Sequence, residues 1–143
     1  MRYFEDVEVG STATFGSYDV TPEEIKEFAE KYDPQPFHTD EAVASESMFG
    51  GLVASGWHTM AMCMRMITEQ PDPLAALAGV EVNHIKWRKP VRPGDTLSAR
   101  TEIVDTEPWD DDHGKVDVRI ETLVDDAVVC SMVGLVLFAR HRS

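Results

Sequence analysis

A strongly apolar segment runs from Trp57 to Ile67, where apolar side chains occur on every side of a helical wheel. A helix that is apolar all round is normally buried. Gly56 precedes this stretch, and a Pro-Asp-Pro run that starts at Pro71 follows it, so the helix must end before Pro71. The pattern therefore predicts one long, buried, central helix.

From Gly79 onward, apolar and polar residues alternate with the period of two that is typical of strands. A Pro93-Gly94-Asp95 turn, an acidic loop at Trp109–Gly114 and an Asp125-Asp126 turn divide this region. The last segment is almost continuously apolar, which indicates a strand covered on both faces. The four predicted strands lie near residues 80–87, 97–104, 116–122 and 128–139.

The part before the central helix mixes both patterns. Ser11–Val20 is predicted to form a first strand. Thr21 and Glu24 form a capping-box sequence around Pro22, and the apolar residues that follow are spaced as in a helix that ends at Asp33. A short polar helix is expected within Thr39–Ser47, capped by Asp40.

This order of elements predicts an α+β fold in which an antiparallel sheet wraps around one long helix. The chain has 143 residues, the length of one ordinary domain, so we expect a single domain over residues 1–143. One sheet edge and part of the helix would stay uncovered in such a domain. We therefore expect a homodimer or a higher even oligomer.

Composition narrows the possible functions. Hydrophobic residues make up 43% of the chain, which is enough for a packed core. The sequence has no run of eighteen apolar residues and no apolar signal segment, so a cytoplasmic protein without a membrane span is expected. Cys63 and Cys130 lie in apolar segments and are predicted to be buried thiols.

The net charge of −13 argues against nucleic acid as a partner, because nucleic-acid binding depends on basic surfaces. One local cluster departs from this balance. Its four bases, within seven positions, are Lys86, Arg88, Lys89 and Arg92. They are candidates for binding an anionic ligand, although the same residues are also typical of a solvated turn beside a strand.

The strongest candidate for chemistry is the acid–imidazole pair of Asp33 and His38. Pro34 and Pro36 lie between them, so we expect both on a rigid loop rather than a helix. An acid and an imidazole held close together can act in general acid–base catalysis. Aspartate and histidine are also common in loops without a catalytic role, where they satisfy backbone groups.

A glycine-rich run, 49–56, leads directly into the apolar helix. The N–H groups of a helix start are free to bind a developing negative charge. Gly56 is therefore a candidate oxyanion donor. The alternative is that a small residue is simply needed where the chain enters the helix.

These motifs together resemble the MaoC-like hydratases, or R-specific enoyl-CoA hydratases. The resemblance rests on Asp33-Pro-x-Pro-Phe-His38-x-Asp40, on Phe49-Gly50-Gly51 and Ala54-Ser55-Gly56, and on the turn from Pro90 to Leu97. It implies a hot-dog fold and the reversible hydration of a 2-enoyl-CoA.

The resemblance also implies residue roles. Asp33 and His38 would hold the catalytic water, and the Gly56 N–H would polarise the thioester carbonyl. Ser55 stands where the family often has a histidine, and we expect it to contact the substrate. The coenzyme A phosphates would be bound by Arg88, Lys89 and Arg92.

The predicted chemistry needs no cofactor beyond the CoA thioester substrate and no metal, since no histidines or cysteines show metal-ligand spacing. Two alternatives remain at this stage. The first is a thioesterase on the same fold, which needs an acid or nucleophile on the central helix. The second is a non-catalytic acyl-CoA-binding subunit of a heteromer, which would have no need of both Asp33 and His38.

Overall fold

Five antiparallel strands form one sheet that curls around a single long helix. A computed structural model describes residues 1–141. The strands are β1 (Thr12–Asp19), β2 (Ala76–Trp87), β3 (Thr96–Pro108), β4 (His113–Val124) and β5 (Ala127–Ala139), in the spatial order β1-β3-β4-β5-β2. The helices are α1 (Pro22–Tyr32), α2 (Pro36–Thr39), α3 (Glu41–Ser45) and α4 (Gly56–Glu69), with a 3₁₀ turn at Phe4–Asp6. The predicted α+β hot-dog architecture is confirmed.

The sheet follows the alternation in the sequence. Along β4, Val116, Val118 and Ile120 are buried in the core that α4 shares, while the intervening residues are half-exposed on the outer face. β4 and β5 are joined at Asp125-Asp126, where φ is 48° and 68°. Two successive left-handed residues make a type I′ turn, whose twist matches that of the flanking strands.

Helix α1 begins as its sequence predicts. The Thr21 side chain accepts a hydrogen bond from the Glu24 N–H at 3.2 Å, and Pro22 occupies the first turn. The Glu24 carboxylate, which a capping box would turn back toward Thr21, instead accepts from the Tyr18 hydroxyl at 2.6 Å and lies 3.1 Å from His58 Nε2. Glu24 therefore ties α1 to β1 and α4.

Helix α4 differs from the prediction of burial all round. His58, Thr59, Met62, Cys63 and Met66 are buried. On the opposite side, Trp57 is 56% and Met64 47% exposed. The prediction was wrong for the single chain because one curled sheet covers only one side of the helix.

The segment from Asp33 to His38 also differs from the predicted loop. Pro36 begins the one-turn helix α2, which contains His38. Proline suits the first position of a helix, since the N–H it lacks would have no partner there. Asp33 stays outside regular structure as the C-cap of α1. The predicted loop was therefore wrong for His38, which lies on a helix, and correct for Asp33.

A bulge in β1 brings the sheet onto α4. The register between β1 and β3 shifts between Phe15 and Tyr18, and Gly16 lies there with a φ of 86°. A Cβ atom added to Gly16 would lie 2.6 Å from the Met66 sulfur. Glycine is thus required both by the backbone conformation and by the close approach of the helix.

Replacing Gly16 should destabilise the fold by two separable effects. Gly16→Ala is expected to lower the free energy of unfolding by more than the cost of the left-handed conformation, about 1–2 kcal/mol, because Met66 must also move. Gly10→Ala is the control, since Gly10 has a φ of 91° and open space around it. Urea unfolding of both variants measures the difference, and equal losses would show that the Met66 contact is unimportant.

Candidate active site

Asp33 is held where the end of α1 meets the start of α4. Its N–H donates to the Ala29 carbonyl at 2.8 Å, which fixes the residue at the helix terminus. Its side chain accepts from the Ser55 hydroxyl at Oδ2 and from the Gln35 amide at Oδ1, both at 2.7 Å. The carboxylate is therefore positioned by groups from two separate parts of the chain.

These donors keep Asp33 ionised. The hydrogen bond from Gln35 is the main reason that the pKa of Asp33 lies below its usual value. Partial burial acts in the opposite direction, whereas the Ser55 hydroxyl and His38 lower the pKa further. At neutral pH the Asp33 side chain is thus an acceptor on both oxygens.

His38 faces Asp33 from α2. Its side chain is buried, and Nδ1 lies 2.7 Å from the Val53 carbonyl oxygen. A carbonyl can only accept, so Nδ1 carries the proton and the neutral ring has its lone pair on Nε2. Nε2 lies 3.5 Å from Asp33 Oδ2. Two acceptors thus converge on one point, and a water molecule could donate one hydrogen to each.

The start of α4 borders the same point. Ser55 is fully buried and is the N-cap of the helix. Its hydroxyl makes no capping hydrogen bond and instead donates to Asp33. Next to it, Gly56 lies under the Trp87 indole so closely that any Cβ would clash with the ring. Glycine is required there because the ring takes up the space that a side chain would need. The Gly56 N–H, at the start of α4, stays a candidate oxyanion donor.

A cavity of about 450 Å³ opens in front of these groups. Its size suits a small-molecule site, and its walls are largely aromatic, with Trp57 and Trp87 packed edge to face at 5.4 Å between ring centroids. Arg88 and Lys89 add positive charge to its lining. The lining residues at the polar end and the aromatic walls are Asp33, Gln35, Phe37, His38, Phe49, Gly56, Trp57, Thr59 and Trp87.

The sequence that builds this site matches a known protein family. The model of the MaoC-like domain matches residues 6–125. The chain belongs to the MaoC-like domain family. In this MaoC-like domain the match includes the acid, the histidine and the start of α4 that surround the cavity.

Individual proteins of known sequence or structure are also similar to this chain. The chain is 33% identical over 121 residues to the uncharacterized protein YdeM of Bacillus subtilis, covering 82% of this chain and 84% of that protein. It is 32% identical over 108 residues to a 3-hydroxybutyryl-CoA dehydratase of Methylorubrum extorquens, covering 74% and 66%. A solved structure of a MaoC-like dehydratase from Rhodospirillum rubrum superposes with a TM-score of 0.92 at 36% identity, covering 99% of each chain.

The structure brings most of the predicted site residues together, with two qualifications. Arg92 does not line the cavity, because its guanidinium donates to the Phe49 carbonyl at 2.7 Å and supports the glycine-rich run. Ser55 uses its hydroxyl on Asp33. Substrate contacts by Arg92 and Ser55 therefore stay predictions.

Sequence reasoning missed three participants in the site. Gln35 orients Asp33, the Val53 carbonyl sets the His38 tautomer, and Trp87 covers Gly56. A polar residue between two prolines was a usable signal for Gln35. The other two contacts join distant parts of the chain and have no local signature.

Within residues 1–141, no three His, Cys, Asp or Glu side chains come together as a metal site. The expectation that the chemistry needs no metal stays a prediction. In the same part of the chain, no helix has the length and apolar character needed to cross a membrane.

Cys63 and Cys130 are free and buried, and burial raises the pKa of both thiols.

His58 belongs to a separate cluster behind the cavity. Its ring stacks on Phe28 with 4.7 Å between centroids, and Nε2 donates to Glu24. The same carboxylate accepts from Tyr18, which raises the pKa of that hydroxyl to about 12. Nδ1 has no hydrogen-bond partner among the described residues. The cluster joins β1, α1 and the start of α4.

The buried imidazole should make folding sensitive to mild acid. Burial lowers the pKa of His58, although Glu24 acts in the opposite direction. Below about pH 6.5 the unfolded chain binds a proton that the folded state resists, so the free energy of unfolding should fall as the pH falls. Glutamine does not titrate, so His58→Gln should show a smaller decrease between pH 7 and pH 5.

Urea unfolding at the two pH values measures this effect. His84→Asn is the control, because His84 is exposed and asparagine tolerates its φ of 56°. If His58→Gln and the wild type lose the same stability between the two pH values, His58 is not the responsible group.

Proposed function

We propose that the protein catalyses the reversible hydration of a 2-enoyl-CoA to a 3-hydroxyacyl-CoA, with water activated by Asp33 and His38. The observation that carries the proposal is the convergence of two acceptors, Asp33 Oδ2 and His38 Nε2, 3.5 Å apart on the wall of an apolar cavity. The relative named 3-hydroxybutyryl-CoA dehydratase supports a CoA thioester as the substrate.

In the hydration direction, the water held by the pair attacks C3 of the enoyl group. The new C3–O bond forms while one water proton passes to the Asp33–His38 pair. The electron pair of the C2–C3 double bond moves toward the thioester oxygen, giving an enolate. The pair then returns the proton to C2, so that one water molecule is added and no group is left over. Dehydration follows the same steps in reverse.

Enolate stabilisation is assigned to the start of α4. The N–H of Gly56 lies at the positive end of the helix dipole, where a negative oxygen is favoured. Trp87 occupies the space that a Gly56 side chain would take, so a thioester carbonyl would have to approach the Gly56 N–H from the cavity side. This arrangement would place C3 toward the water site.

Binding of the coenzyme is assigned to Arg88 and Lys89. The total charge of −13 would repel an anionic substrate, so local cations must attract it. Most arginines elsewhere in the described chain pair with carboxylates, for example Arg100 with Glu121 and Arg119 with Glu102. Within that same region, Arg88 and Lys89 form no ion pair, and both line the cavity.

A thioesterase is less well supported by the geometry. It would need a nucleophile or acid on α4 that faces the cavity. The α4 residues that line the cavity are Gly56, Trp57 and Thr59, and Cys63 is fully buried with a raised pKa. The Thr59 hydroxyl donates to the Ser55 carbonyl oxygen at 3.4 Å. The neighbouring His58 is bound to Glu24 and does not line the cavity.

Removing either member of the pair should abolish most of the activity. Asp33→Asn and His38→Gln are each expected to lower kcat for hydration of crotonyl-CoA by at least about 10²-fold. Since the two groups act on one water molecule, the double variant should be little worse than the poorer single variant. Loss of the enoyl-thioester absorbance measures the rate.

The matched controls are Asp105→Asn and His113→Gln, which make the same chemical changes at residues outside the cavity. Both should retain wild-type rates. A folded Asp33→Asn or His38→Gln variant with a near-wild-type kcat would reject the proposed mechanism. Release of free thiol from acyl-CoA by the wild type, without hydration, would favour the thioesterase instead.

We also propose a homodimer formed through the edge of the sheet. Strand β2 pairs with β5 on one side only, and its side chains are almost all exposed. Leu77, Val80 and Val82 are each at least 50% exposed. Trp57 and Met64 extend this apolar surface along α4. A second copy can pair antiparallel with the same edge and cover both elements.

A lysine placed on the exposed edge of β2 tests the proposed dimer. Light scattering should give about twice the chain mass of 16.0 kDa for the wild type. Val80→Lys should shift the population toward the monomer, because two lysines would face each other near the two-fold axis. Val43→Lys is the control, since Val43 is similarly exposed on α3. A wild type that is monomeric at micromolar concentration would refute the dimer.

A further inference from the structure

A second concave surface lies on the opposite face of the sheet from α4. Arg119 and Glu121 project there, because they alternate along β4 with the buried residues of the core. The groove has a volume of about 260 Å³. Its polar lining residues are His84, Lys86, Arg88, Arg119, Glu121 and Ser131.

The charge of this groove is positive in a strongly acidic chain. Its acid, Glu121, accepts from Arg100 at 2.9 Å, and Arg119 donates to Glu102 at 2.6 Å. Among the described residues, the Arg88 side chain donates to one neutral group, the Ser131 hydroxyl, at 3.1 Å, and to no carboxylate. Lys86 makes no ion pair within residues 1–141. The two cations without a carboxylate partner therefore face a groove whose other charges are already paired.

The backbone is distorted at the same place. The pairing of β2 with β5 shifts between Asn83 and Lys86, and His84 within this bulge has a φ of 56°. A non-glycine residue in that conformation is uncommon, and bulges beside functional sites commonly redirect side chains. Here the bulge brings His84 into the groove together with Lys86 and Arg88.

Arg88 connects the groove to the catalytic cavity, since it lines both. One extended ligand could thus place a reactive group in the cavity and an anionic group on the outer face. A CoA thioester is such a ligand, because a long pantetheine chain separates its thioester from its nucleotide phosphates.

We propose that the outer groove is a subsite for the nucleotide phosphates of coenzyme A, in which Lys86 and Arg88 donate to phosphate oxygens while Arg119 and His84 lie beside them. This inference rests on the proposed hydratase function. It favours free CoA thioesters as the substrate, because only these carry the nucleotide phosphates that the groove would bind.

The subsite can be tested by comparing KM for two thioesters, one that carries the nucleotide and one that lacks it. Lys86→Met should raise KM for crotonyl-CoA by about 3–10-fold with an unchanged kcat, and it should leave KM for crotonyl-pantetheine unaltered. Lys86→Glu should raise KM for crotonyl-CoA further, and this effect should shrink as salt is added. Lys115→Met is the control, because Lys115 lies on the same strand as Arg119 but outside the groove. It should change neither KM.

Direct binding separates this inference from the proposed reaction. Titration calorimetry with adenosine 3′,5′-bisphosphate should show binding to the wild type and to Lys115→Met, and much weaker binding to Lys86→Glu. If the wild type binds the bisphosphate in this way but hydrates neither thioester, the subsite stands and the hydratase proposal fails. If Lys86→Met raises KM equally for both thioesters, or for neither, the subsite is overturned. Equal binding of the bisphosphate by Lys86→Glu and the wild type would overturn it as well.

Discussion

The hydrogen bond from the Ser55 hydroxyl to Asp33 Oδ2 joins the end of α1 to the beginning of α4. The bond is largely shielded from water, since Ser55 is fully buried. A charge-assisted bond in such surroundings is strong and costly to break. It places the carboxylate next to the first free N–H groups of α4. The acid, the helix dipole and the histidine on α2 therefore share one small region, and their relative positions do not depend on a flexible loop.

Support for this junction comes from behind it. Glu24 accepts hydrogen bonds from β1 and α4 while lying in the first turn of α1. Trp87, at the end of β2, packs against Gly56 from the other side. The start of α4 is thus held between a polar cluster and an aromatic ring. Such rigid support is what a site needs when a shift of one ångström would misplace a water molecule.

The features that the sequence predicts well are local ones. The Thr21 cap, the Asp40 cap of α3 and the Asp125-Asp126 turn each depend on a few neighbouring residues, and the structure contains all three. The pairing of Asp33 with His38 was also accessible, because only five positions separate them. By contrast, Ser55 meets Asp33 across 22 positions, and Trp87 meets Gly56 across the whole of α4. Contacts of that kind are decided by how the sheet curls and leave no local pattern.

Strand β2 contributes both to an open edge of the sheet and to the wall of the cavity. Its middle is an open sheet edge, and its end carries Trp87 and Arg88 into the cavity. A bulge at His84 lies between the two parts. A second copy that pairs with the edge would also restrict the strand end that borders the cavity. By thermodynamic linkage, assembly and substrate binding would then alter each other's equilibrium by the same factor, so the affinity for substrate would depend on protein concentration.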